Sequence, residues 1–247
     1  MRMPNQNDYF DNDVIRINPS SLNGLDMTRE RVSAFLRSVY GWMFIGLGIT
    51  AVVAYAVASS PSVVETIVYN QTLFWVIVIA QLGLVFFLSF KVKDLAPGAA
   101  AGLFILYSAL TGVTTSVVLL AYTGASVTSA FVITAGIFGA TSLFGLTTNK
   151  NLAGVGQFLF MGVIGLVLAS VVGLFLRSDA LQFAISIVGV IVFTGLAAWH
   201  SQRLKQMALV VHDDRKGSFA VVGALALYLD FINLFFSLLR LTGSRRH

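Results

Sequence analysis

Seven apolar stretches, each about long enough to cross a bilayer as a helix, dominate this chain: residues 39–58, 72–90, 98–121, 126–146, 154–176, 181–200 and 218–241. Hydrocarbon offers no water to backbone N–H and C=O groups, so only helices or a closed barrel cross it. Barrel strands are about half this length and alternate apolar with polar residues, a pattern these stretches lack. The sequence therefore predicts an all-α polytopic membrane protein with seven transmembrane helices. Composition agrees, since 57% of the 247 residues are hydrophobic and 11% are charged, where a soluble domain has about 25% charged residues.

Within these stretches Asp230 is the one carboxylate, and His200 and Arg240 are the only other charged or titrating side chains besides tyrosines. An ionised Asp in hydrocarbon costs several kcal/mol unless it faces protein or water and finds a partner, which makes Asp230 a functional candidate. At helical spacing Asp230, Asn233, Ser237 and Arg240 share one face and draw a polar stripe down the last helix. Such a helix belongs at the centre of the bundle.

The net charge of +5 reads as topology rather than as a footprint for nucleic acid. Twelve of the 16 Lys and Arg fall before the first stretch or in the second, fourth and sixth connections, which puts the N-terminus in the cytoplasm. Arg240, Arg245 and Arg246 then lie outside, so a re-entrant last segment that returns the tail to the cytoplasm is the alternative. Residues 1–33 are read as a polar cytoplasmic segment: a disordered tail over 1–26, then a short interfacial helix or a simple extension of the first span. The membrane domain covers 34–241, and 242–247 form a basic tail.

Other polar residues in the spans are pathway-lining candidates, each with a structural alternative. Gln81 in the second span suits interhelical hydrogen bonding as well as conduction. Tyr107, Thr111, Thr114 and Thr115 share a face of the third, and membrane hydroxyls mostly bond their own backbone. Small residues four apart, Gly98 and Gly102, Ala135 and Gly139, then Gly165, Ala169 and Gly173, predict close helix packing.

Several chemistries lack their residues. No span holds a Lys for a retinal Schiff base or a second carboxylate for an aspartyl protease. There is no Cys, no His-Glu-x-x-His, no Gly-x-Ser-x-Gly elbow and no phosphate-binding loop, and the only histidines are His200, His212 and His247. His212, Asp213 and Asp214 are consecutive, so their side chains do not converge on a cation. The reading is a protein without enzymatic activity, metal or cofactor.

The segment Leu227-Tyr-Leu-Asp-Phe-Ile-Asn-Leu-Phe235, together with residues 80–89 and the Gly-rich fourth and fifth spans, resembles the Bax inhibitor-1 family in its bacterial YccA-like branch, over residues 34–241. The resemblance implies seven helices with the last surrounded by the other six, a pH-sensitive calcium leak, and a sensor made of two aspartates. Asp230 matches one of them. The other would stand at the end of the sixth span, where this chain reads Trp199-His200-Ser201-Gln202, so His200 replaces an aspartate. Two touching carboxylates share a proton, whereas His and Asp stabilise each other's charged forms. The expected function is a cation leak, calcium being the expected permeant, through an inner membrane and gated at Asp230 with His200. The alternative is a non-conducting regulator that binds a membrane-anchored AAA protease or another membrane protein. Contact between His200 and Asp230 requires the sixth helix to run past residue 200 or the last helix to start above the membrane surface.

Overall fold

A computed structural model describes residues 19–68, 70–91, 94–176 and 178–246. Its helices are α1 (Pro19–Ala58), a short α2 (Pro61–Val63) continued by a π turn (Val64–Val68), α3 (Gln71–Lys91), α4 (Pro97–Ala121), α5 (Gly124–Thr147), α6 (Ala153–Leu176), α7 (Asp179–Val210) and, after a 3₁₀ turn at Asp213–Arg215, α8 (Lys216–Thr242). Among the described residues, seven of them (α1 and α3 to α8) are long and apolar enough to cross a membrane. Capping chemistry sets several boundaries. Thr123 and Ser178 accept the backbone N–H of Ser126 and Leu181 at the starts of α5 and α7, and proline stands in the first turn of α4.

The last helix is the axis of the bundle. Two thirds (67%) of the most apolar window of α8 is buried against the protein, while no other span exceeds 39%. Helices α1, α4, α5 and α7 pack directly on it. Along α1, Val39, Met43 and Leu47 recur every four residues and turn one buried stripe inward. On the α8 side, Gly223 lets the chain approach closely, because a Cβ there would run into Leu204 of α7. Further along, Leu225, Leu227, Tyr228, Leu234 and Leu239 are fully enclosed. Helix α3 packs chiefly on α4, and α6 chiefly on α7. Only 6% of the α3 window is buried, which leaves most of that helix facing the bilayer.

Polar ties hold both ends of α8. Ser218 Oγ donates to the Leu95 carbonyl in the α3–α4 connection at 2.7 Å. At the far end Thr123 N–H donates to the Ser244 carbonyl and Arg246 N–H to the Ala121 carbonyl, so the tail pairs with the α4–α5 turn. The helix between these ties is unbroken. The re-entrant alternative therefore does not hold: the tail sits at the end of the bundle opposite the α3–α4 connection.

Three other expectations change. Residues 19–26 have helical backbone continuous with the first span, and α1 runs on as the simple extension rather than as a separate interfacial helix; residues 1–18 of the expected tail lie outside the described residues. The sixth span continues ten residues beyond the predicted boundary, to Val210. The small-residue series does not mark the tight interfaces. Nothing approaches Gly98, Gly102, Gly139 or Gly165 within 4 Å of a Cβ, Gly173 meets only ordinary contacts, Ala135 is exposed and Ala169 half-buried. Spacing identifies a smooth face but not its partner, and most of those faces have no neighbour among the described residues. The close approaches occur instead at glycines such as Gly145, where a Cβ would strike the Ala198 carbonyl of α7, and Gly156, where it would enter the Trp199 ring.

Candidate functional site: a buried histidine–aspartate pair

The extension of α7 brings His200 to Asp230. At about 1.5 Å per residue, His200 lies about 15 Å before the end of α7 and Asp230 about 21 Å after the start of α8. The two helices are antiparallel neighbours joined by a short turn, so the residues fall nearly level. His200 Nδ1 is 2.6 Å from Asp230 Oδ2, with the side chains 18% and 4% exposed. With Asp230 ionised, the carboxylate can only accept and the imidazole Nδ1–H is the donor.

Several residues around His200 on α7 are fastened to other parts of the bundle. Trp199 lies against Gly156 of α6. Ser201 shares a 3.0 Å hydrogen bond with Tyr40 of α1 and donates to its own Ala197 carbonyl. Gln202 spans the α5–α6 connection: its Nε2 donates to the Lys150 carbonyl and its Oε1 accepts Leu152 N–H, at 2.8 and 2.9 Å. Lys205 Nζ donates to the Leu146 carbonyl near the end of α5. These ties fix the rotation of α7, and with it the direction of the imidazole.

Below the pair, α8 is tied to α1 and α4. Thr50 Oγ1 donates to the Ser108 carbonyl at 2.9 Å, so its one proton is used and Tyr228 OH donates to Thr50 at 2.6 Å. The Tyr228 ring packs edge-on against Phe104 and Tyr107, with centroids 5.7 and 5.8 Å apart. Sequence reasoning passed over Tyr228 because a tyrosine in an apolar helix reads as core.

A crevice of about 660 Å³ opens beside the pair, between α3 and α6, with α7 and α8 as its floor. His200, Arg203, Asp230 and Asn233 reach it, and its other walls are mainly apolar, including Phe86, Phe90 and Phe160. The predicted polar stripe divides here. Asn233 Nδ2 donates to the Leu229 carbonyl and Ser237 Oγ to the Asn233 carbonyl, both four residues back on α8. Arg240 is exposed at the far end of the helix. Of the remaining pathway candidates, Gln81 Nε2 donates to Thr114 Oγ1 at 3.2 Å, Thr111 Oγ1 donates to the Tyr107 carbonyl, and Tyr107 is enclosed beside Tyr228. None of Gln81, Tyr107, Thr111, Ser237 or Arg240 borders the crevice. Among the described residues no group of three or more His, Cys, Asp or Glu side chains gathers as a metal site.

Seven apolar spans, the last carrying a buried, hydrogen-bonded carboxylate, define a polytopic α-helical membrane protein with an ionisable pair inside the bundle. The family model described as "Inhibitor of apoptosis-promoting Bax1" matches residues 32–247. The chain is also 48% identical over 222 residues to the inner membrane protein YbhL of Escherichia coli, covering 88% of this chain and 94% of that one. An uncharacterized protein of Borreliella burgdorferi is 43% identical over 230 residues, covering 90% and 99%, and one of Deinococcus radiodurans is 41% identical over 219 residues, covering 88% and 94%. The chain belongs to the Bax inhibitor-1 family.

Proposed function

We propose that this protein is a pH-sensitive cation leak, with calcium as the principal permeant ion, and that the His200–Asp230 pair is its closure. The observation that carries this reading is a carboxylate, 4% exposed, hydrogen-bonded to a histidine at 2.6 Å across two helices and bordering an open crevice. A carboxylate inside a membrane bundle is costly to place, which makes it a functional candidate by default. The ring of ties about α7 supports a closed arrangement held by this contact.

Proton chemistry gives the pair two steps. A proton on His200 places a positive charge against the carboxylate and tightens the contact, whereas a proton on Asp230 removes the charge and releases it. The ionisable groups nearest the pair are Arg203 on α7, Tyr228 on α8, Tyr107 on α4 and Tyr40 on α1; α5 and α6 carry none, and α3 has only Lys91 at its end. With the N-terminus in the cytoplasm of an inner membrane, the crevice lies in the cytoplasmic leaflet, toward the α7–α8 end of the bundle. Calcium flux into liposomes containing only the purified protein tests the proposal. The expected outcome is a leak that varies between about pH 5 and 8. No flux at any pH in that window leaves the regulator that binds another membrane protein, and abandons conduction.

A further inference from the structure

The crevice has the shape and charge of a lipid site. Its floor runs along α7 from Phe193 to Met207, about 21 Å at 1.5 Å per residue. Arg203 lies about 15 Å along it from Phe193, about half of a 30 Å hydrocarbon core, the depth of one leaflet. The flanks of the crevice are bilayer-facing aromatics: Phe86, Phe90 and Phe160 are each more than half exposed. Arg203 stands on this floor about one turn before its outer end at Met207. Its guanidinium lies 5.3 Å over the Trp199 ring, which Gly156 seats on α6. Among the described residues it makes no ion pair with a carboxylate. A fixed cation at the interface, above a leaflet-deep apolar slot between spans, is the arrangement that recognises an anionic headgroup with its acyl chain below.

We propose that the crevice between α3 and α6 binds one anionic phospholipid of the surrounding bilayer, its phosphate on Arg203 and one acyl chain lying along α7 and α8 over the His200–Asp230 pair. The chain covers the side of the pair that no helix covers. Binding stands whether or not the protein conducts.

Trp199 provides the readout, because it sits beneath Arg203, and replacing Trp42 and Trp75 by Phe leaves it as the single tryptophan. The full chain carrying those two changes is reconstituted with phosphatidylcholine containing increasing fractions of brominated phosphatidylglycerol or, separately, brominated phosphatidylcholine. Phosphatidylglycerol is expected to quench at about fivefold lower mole fraction, the factor for about 1 kcal/mol from one basic side chain near an anionic headgroup. Arg203→Gln should bring the two lipids together without loss of quenching, since the bilayer still bathes the ring. A bulky Ala226→Phe in the crevice wall should reduce quenching by both lipids, and far-ultraviolet helicity identifies a variant that has not folded. Equal quenching by the two lipids in the parent protein means ordinary boundary lipid and overturns the proposal, as does a preference that survives Arg203→Gln.

Discussion

Replacing His200 by Leu isolates the carboxylate and measures what the pair contributes. Removing one partner of a buried charge pair costs about 3–5 kcal/mol, because the other is left without compensation. The structure sets where in that range the cost falls. Asp230 is 4% exposed and, among the described residues, its side chain bonds to His200, but it also borders a crevice of about 660 Å³ and so is not enclosed by protein on every side. The lower end, about 3 kcal/mol, is expected. Exchanging both residues for Leu removes the desolvation of both groups as well as their attraction, and such replacements are often neutral. The double variant should therefore lie within about 1 kcal/mol of the parent, giving a coupling of at least about 2 kcal/mol. Reversible unfolding of the purified protein in mixed detergent, followed by tryptophan fluorescence and helicity together, supplies the free energies. A His200→Leu cost under about 1 kcal/mol, or a double variant equal to the sum of its singles, would refute the claim that this contact holds α7 to α8.

Tyr228→Phe removes the donor to Thr50 and leaves Thr50 bonded to the Ser108 carbonyl, so a loss of about 1 kcal/mol is expected in the same unfolding assay. Gly145→Ala forces α5 away from the Ala198 backbone, and a cost of about 1–3 kcal/mol with altered Trp199 fluorescence is predicted. Gln202→Ala frees the α5–α6 connection from α7, which hydrogen exchange should report as lost protection at the Leu152 amide, with α8 unaffected. Removing residues 243–247 should expose the Thr123 amide to exchange in the same way, because Ser244 is its acceptor.

The legible parts of this protein were those that follow from a single helix and its solvent. Span length and one carboxylate at the middle of the last span placed all seven helices and made α8 the central one. The partner of Asp230 came from the family resemblance at Trp199-His200-Ser201-Gln202, and helix length then explained how the two meet. What stayed hidden depends on which faces oppose each other. Glycine spacing marked Gly98, Gly102 and Gly139, which meet nothing, and passed over Gly145 and Gly156, which accept a backbone and an indole ring. A stripe on α8 suggested four cooperating residues. Asn233 and Ser237 satisfy themselves on their own backbone, and Arg240 lies about 15 Å along the helix from Asp230. Gln202 and Lys205 looked like loop residues because the sixth span was ended at residue 200, ten residues early. Arg203 gained meaning only once α3 and α6 were seen to stand apart.

The central claim is that contact between His200 and Asp230 closes the path, and calcium flux against pH in one lipid, compared for the parent, Asp230→Asn and His200→Asp, tests it most directly. The account predicts that Asp230→Asn abolishes the pH dependence centred on this site while the protein still inserts. It also predicts that the parent stays closed to lower pH than His200→Asp, since only the histidine offers a tightening step before the carboxylate is neutralised. Coincident curves for the parent and His200→Asp, opening of that variant only at the lower pH, or an unchanged profile in Asp230→Asn would contradict it.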